Sequence, residues 1–443
     1  MPNITRREAL ISGAAAFLTT PVLPVTRARR RGRTSPAMDK LGLALIGCGG
    51  MGSHNLRQSL ADPDTELIAV CDVQKHRTDA WLNTHPSAKA YSDYRELLAN
   101  PAVDAVIIAT PPHWHCLQAC AAAAAGKHIY LQKPMTLYPA ESIAVRNAVR
   151  KHGVVSQVGT QIHQANNYRR VVDWVRSGKL GPIGRVETFW GWNMGVQGIG
   201  TAPKQAPPDD IDFEMWLGPA EETEFNALMV NDAAMHCSWM AYSGGWTPGM
   251  APHLLDLPVW ALNLGYPEKI SALGGRFIVQ GDGDAPDTQE MLWQYPNMTM
   301  RWHFSQFNHH GYEYDNVARA LGIYFHGLNG TLLTNYNNHQ IHPQNDQLNP
   351  DDVPEPITPD GGIHEIEWLN CIRNGGQPSC CVDYHIKVDL PITLGNLSHA
   401  LGRTIHFDPS TESIIKDPAA ARRAIPEYRG PWKFPKAYLN GKD

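Results

Sequence analysis

The feature that most limits how this chain can fold is a glycine pattern just after residue 40. Leu43-Ala-Leu-Ile-Gly47-Cys-Gly49-Gly50-Met51-Gly52 is a short apolar run that breaks into Gly-x-Gly-x-x-Gly. A helix-competent stretch follows, and then a second apolar run, Glu66-Leu-Ile-Ala-Val-Cys-Asp72, ends in an acid. Strand, tight turn, helix and acid-terminated strand at this spacing predict a βαβ unit that holds a dinucleotide. Gly47 permits the turn, Gly49 lets the backbone approach a pyrophosphate, and Gly52 lets helix and strand pack closely. The helix that starts there offers unpaired N–H groups and a positive dipole end to phosphates. Asp72 is placed to accept from the adenosine ribose hydroxyls and would repel a 2′-phosphate. That favours NAD, while Lys75 and Arg77 nearby leave NADP open.

The α/β pattern continues to about residue 160. Val103–Ala109 reads as a buried parallel strand, broken by Thr110-Pro111-Pro-His113-Trp-His115 at its carboxyl end, where ligands of open α/β sheets bind. His128–Leu131 is the next strand and ends in Gln132-Lys133-Pro134; a helix from Pro139 and a strand at Val154–Val158 follow. Gln161, just past that last strand, is a further residue able to face the cleft. Beyond it the chain changes to β-like runs with long turns, at 186–192, 269–279, 290–295, 298–304 and 324–333. Residues 197–210 and 337–360 read as irregular, and helices are expected over 363–373 and 388–401. The fold class is therefore a doubly wound α/β Rossmann domain, followed by an α+β domain with a large, open, mainly antiparallel sheet. The expected divisions are residues 38–160, 161–410 and a C-terminal tail at 411–443 that packs on the body.

Residues 1–37 read as an address. Arg6-Arg7 precedes a modest apolar stretch broken by prolines, the pattern of a Tat-type export signal, and it is too short to span a bilayer. The expected location is periplasmic or extracellular, with no membrane insertion. A formal net charge of −5 and the lack of a basic, aromatic-interleaved face argue against nucleic acid. The eight cysteines lack Cys-x-x-Cys spacing and read mostly as buried thiols. His309-His310 and His339-x-x-His342 have no acidic or cysteine partner at ligand spacing, so no metal is assigned.

The glycine motif, the strand ending in Lys133-Pro134, and Gly244-Gly245 leading to His253-Leu-Leu-Asp256-Leu-Pro258 together resemble the Gfo/Idh/MocA oxidoreductases. The resemblance implies a substrate held between the two domains above a nicotinamide, and an open sheet that often serves as a homodimer or homotetramer interface. It implies an acid/base role for Lys133, with a cis peptide before Pro134. It gives His253 a hydrogen-bonding or proton-relay role. Asp256 then either orients His253 or contacts substrate hydroxyls, and His113 and His115 line the nicotinamide site. Two positions depart from the family pattern: Gln132 stands where a glutamate is common, and Gly249 where an aspartate is common.

The resulting expectation is an exported oxidoreductase that transfers hydride between a sugar, sugar derivative or cyclitol and a tightly held NAD(P). Redox-neutral, NAD-dependent glycoside hydrolysis through transient oxidation and elimination is the alternative. A non-catalytic sugar-binding protein is a third.

Overall fold

In the computed structural model the described residues are 40–231, 235–308 and 320–439. Residues 1–37, read above as an export signal, and the His309–His310 pair lie outside them. Six strands, β1 (Leu41–Ile46), β2 (Thr65–Cys71), β3 (Lys89–Tyr91), β4 (Ala105–Ile108), β5 (His128–Leu131) and β6 (Ser156–Val158), form the first sheet. It is parallel throughout, in the order β3-β2-β1-β4-β5-β6. Its central strands are short aliphatic runs with both faces buried, as expected when helices cover both sides. The order reverses beside β1, so the crevice beyond the carboxyl ends of β1 and β4 is the fold's natural ligand site.

The second sheet has nine strands: β7 (Ile183–Gly191), β8 (Lys269–Gly275), β9 (Thr288–Gln294), β10 (Thr299–Ser305), β11 (Leu321–Gly327), β12 (Gly330–Thr334), β13 (His339–Pro343), β14 (Ile405–Asp408) and β15 (Ser413–Ile414). Neighbours run antiparallel except β7 and β10, which pair in parallel at its centre. Alternation decides which face is core. Met291 and Trp293 on β9, with Met300, Trp302 and Phe304 on β10, turn inward, while Leu292 is exposed. The inner face packs against helices, among them Val382–Leu401, whose Pro391 carbonyl accepts a bond from Trp293 Nε1 at 2.8 Å.

Three local expectations are corrected. The apolar run 324–333 is a hairpin, because Leu328 and Asn329 turn between β11 and β12. The stretch 337–360 contains β13, paired to β12 at the sheet edge. The late helix begins at Val382 and carries Pro391 inside it. The helix His364–Asn374 packs back on the first sheet, where Glu365 accepts from Asn55 Nδ2 at 2.6 Å and from Tyr130 OH at 3.2 Å. No helix among the described residues is long and apolar enough to cross a membrane.

Trp302 ties the second sheet to the short helix Trp246–Met250: it is fully buried and its Nε1 donates to Thr247 Oγ1 at 3.0 Å. Replacing it with alanine removes a large core side chain and leaves that hydroxyl unpaired. Trp302→Ala is expected to lower the unfolding free energy by about 3–5 kcal/mol, read by chemical denaturation.

Candidate active site

Gly47 has φ +91°, and a Cβ there would lie 2.6 Å from the Ala109 carbonyl carbon and 2.7 Å from Thr110 N. Gly52 sits under the turn, where a Cβ would come within 2.0 Å of Gly47 O. No other residue type fits either place. The turn feeds the helix Gly50–Leu60, which has no side-chain cap and no acid in its first turn, so its N-terminal N–H groups are left for an anion. Asp72 closes the arrangement. Its Oδ2 accepts from Cys48 N at 2.7 Å and its Oδ1 from Gln74 N at 2.9 Å, which pins the turn to the end of β2. Burial raises its pKa, opposed by Arg77 and by those two backbone bonds. Gly47, Gly49, Gly50, Met51, Asp72, Thr110 and Pro111 line one cleft, and together they fit a dinucleotide.

The opposite wall of the cleft was not legible in the sequence. Residues 209–231 cross from the second domain as a strap over the first. Ile211 bridges Gln74, Lys75 N donates to Asp210 O at 3.0 Å, and Asp212 N to Val73 O at 2.9 Å. Arg77 Nη2 donates to Val230 O at 2.9 Å, and Trp114 Nε1 lies 3.1 Å from the Met215 and Trp216 carbonyls. Met215, Trp216, Met229 and Val230 face the cleft. Lys75, by contrast, is paired with Asp79 at 2.6 Å.

Lys133 stands at the end of β5, half-buried, before a cis peptide to Pro134. Its Nζ donates to Gly249 O at 2.9 Å, across to the short helix Trp246–Met250 of the second domain. Burial draws the amine below the ordinary lysine value, and the Cys237 sulfur works in the other direction. A Cβ added at Gly249 would lie 3.3 Å from Cys237 Sγ, so the thiol fills the space beside this glycine. Gln132 does not line the cleft: its Nε2 donates to Asn55 Oδ1 at 2.7 Å and its Oε1 accepts from Lys133 N at 3.2 Å. Gln161, at φ +28°, also lies off the cleft lining.

His253 begins the helix Pro252–Leu262, half-buried, with its ring 6.3 Å from that of Tyr336. Burial and the nearby Lys133 charge push it down to about 3. Asp256 does not reach His253. Its carboxylate turns away, fully buried, to accept from His163 Nε2 at 3.1 Å, Thr160 Oγ1 at 2.8 Å and the Tyr384 hydroxyl. These partners, led by His163, hold its pKa well below the usual carboxylate range against the opposing effect of burial. His163, Asp256 and Cys380 bring ligand-type atoms within 4.8 Å of one another, yet both Asp256 oxygens already accept from protein donors. Hydrogen bonding accounts for the cluster.

His113 and His115 also differ from expectation. His115 is fully buried, with Nδ1 2.8 Å from Pro134 O and Nε2 2.8 Å from Thr110 O. The neutral ring sits between the ends of β4 and β5 and donates its one N–H to one of these two carbonyls. His113 has Nε2 2.8 Å from Trp216 O and holds the strap. Both rings face protein carbonyls and neither lines the cleft. Their pKa values fall to about 4, burial being the main cause.

Residues 41–160 match the family model described as the oxidoreductase family's NAD-binding Rossmann fold, and residues 167–434 that of its C-terminal alpha/beta domain. Among curated proteins, an inositol 2-dehydrogenase of Salmonella typhimurium is 32% identical over 141 residues, covering 31% of this chain and 42% of that protein. A glycosyl hydrolase family 109 protein of Shewanella baltica is 28% identical over 210 residues, covering 41% and 45%. The match thus spans less than half the length of either relative. The WlbA dehydrogenase of Bordetella pertussis, solved with NADH and UDP-GlcNAcA, superposes with a TM-score of 0.63 at 20% identity. That superposition covers 83% of this chain and 98% of the other, and shows a shared fold.

The buried imidazoles set the acid response. His113, His115 and His385 are pushed down to about 4 and His236 and His253 to about 3, chiefly by burial. They are neutral in the fold and take protons on unfolding, so their contribution is lost as pH falls from about 6.5 toward 4. Burial raises Asp72, Glu141 and Asp389, which run the opposite way but are outnumbered. The unfolding free energy, measured by urea titration from pH 7 to pH 4.5, is expected to decline steadily.

Proposed function

The chain belongs to the Gfo/Idh/MocA oxidoreductase family, and on that premise we propose that it transfers hydride between a hydroxyl-bearing carbon of a sugar, sugar derivative or cyclitol and a tightly held NAD. The observation that carries this reading is Lys133, half-buried at the end of β5, held by a carbonyl and drawn toward its neutral form. When bound, the nicotinamide supplies the carbon that accepts or returns hydride; the chain handles the proton. A neutral Lys133 amine accepts the substrate hydroxyl proton, and in the reverse direction its ammonium donates to a carbonyl. His253, kept neutral, is a hydrogen-bond group for the substrate. Asp256 acts at a distance by fixing the helix that carries His253 to the segments 160–163 and 380–384.

Asp72 supports NAD over NADP, since a carboxylate at the end of β2 repels a 2′-phosphate. The strap supports tight retention, because residues 209–231 are held to both the segment 73–77 after β2 and the loop after β4. Retention also suits an exported protein, which the twin arginine supports, since the cofactor would have to travel with it. Exposed Leu273 and Leu292 on the second sheet support a homo-oligomer. A second reading is redox-neutral glycoside hydrolysis with trapped NAD; similarity to the glycosyl hydrolase family 109 protein favours it.

Lys133→Ala is expected to lower turnover on the active sugar by at least about 10²-fold while NADH affinity changes less than about threefold. Steady-state kinetics and NADH fluorescence titration check the two halves. Undiminished turnover would remove Lys133 from the mechanism.

A further inference from the structure

The turn Met235–Ser238 contributes His236 to the cleft lining and is held from its other side. Ser238 O accepts from Asp284 N and Ala285 N, both at 2.9 Å, and Ser238 Oγ accepts from Trp246 Nε1 at 3.1 Å. Within this turn Cys237 fills the space beside Gly249, the residue whose carbonyl holds Lys133. The residue before it, His236, lines the cleft together with Gly47, Gly49, Met51, Thr110 and Pro111. So the chain runs from cleft to lysine through one contact: His236 and Cys237 on one side, Gly249 and Lys133 on the other.

A structural histidine places its nitrogens on protein groups, as His115 does on two carbonyls at 2.8 Å. His236 does not. It is half-buried, and among the described residues its ring has no hydrogen-bond partner. A donor left open in a pocket otherwise built from a glycine-rich turn and strand ends is available to whatever fills that pocket.

We propose that His236 is a cofactor-binding residue supplied by the second domain, and that its ring hydrogen-bonds an oxygen on the nicotinamide-ribose side of the dinucleotide, across from the glycine-rich turn. The position follows from its neighbours, since the adjacent Cys237 packs on Gly249, whose carbonyl holds Lys133 at the end of β5, while Asp72 marks the adenosine end. Burial, His113 and Lys133 push its pKa down to about 3, so the ring stays neutral with one N–H to donate. A neutral ring also suits a site where an oxidised nicotinamide brings positive charge. The inference rests on the cleft being a dinucleotide site, and it adds a contact from the wall opposite the Rossmann motif.

The test is a set of binding titrations on the purified full chain, with NADH and ADP as probes. His236→Ala should weaken NADH by about 10-fold, the loss of one hydrogen bond, and leave ADP within about twofold. His236→Gln, which keeps a donor, should recover part of the NADH affinity. Unchanged NADH affinity in His236→Ala would overturn the proposal, and so would equal losses for NADH and ADP, which would mean a disturbed wall rather than a lost contact. If the unmodified protein binds neither probe, the dinucleotide reading itself falls.

Discussion

Among the bonds that join the two halves of the candidate site, the one at the lysine is central: Lys133 Nζ, at the end of β5, donates to Gly249 O, on the short helix before His253. The bond sets the angle of the lysine amine at the end of β5. It is a bond to a neutral carbonyl, in a half-buried place, and among the described residues no carboxylate offsets the cost of burying an ammonium there. The amine is therefore biased toward its neutral form. Much of the surrounding fold exists to hold this geometry. His115 sits between Pro134 and Thr110, Trp302 holds Thr247 in the helix that carries Gly249, and the Asp256 cluster fixes the helix that carries His253.

The histidines of the site divide into two groups on simple hydrogen-bond accounting. His113 and His115 direct their nitrogens at protein carbonyls and act as braces. His236 and His253 have no such partners among the described residues, and both stand beside the lysine or the cleft. Both stay neutral because burial and a nearby positive charge oppose protonation. That leaves each with a donor and an acceptor for ligand groups, the chemistry that polyhydroxylated substrates and ribose hydroxyls call for.

The nucleotide-binding half was readable in the sequence because its signals are local. The glycine turn, the helix after it and Asp72 lie within one βαβ unit, and Lys133 ends a recognisable strand. What was not readable depended on contacts between distant segments. Ile211 meets Gln74, and Cys237 meets Gly249, and no periodicity announces either contact. Asp256 shows the same limit: its spacing from His253 allowed a shared helix face, but its partners come from residues 160–163 and 380–384. The hairpin at 321–334 was hidden because its turn sits inside one apolar run. Fold class follows from local pattern, whereas the far wall of a cleft is a tertiary fact.

Hydride passing to the cofactor while Lys133 takes the proton leaves a spectroscopic mark in a single turnover, and that is the decisive experiment. Purified protein with its bound cofactor is mixed with free sugars and aryl glycosides, and reduced-nicotinamide absorbance and aglycone release are followed together. The account predicts stoichiometric reduction that persists until an acceptor is added. Catalytic aglycone release with no lasting reduction would contradict it and establish the redox-neutral hydrolase instead.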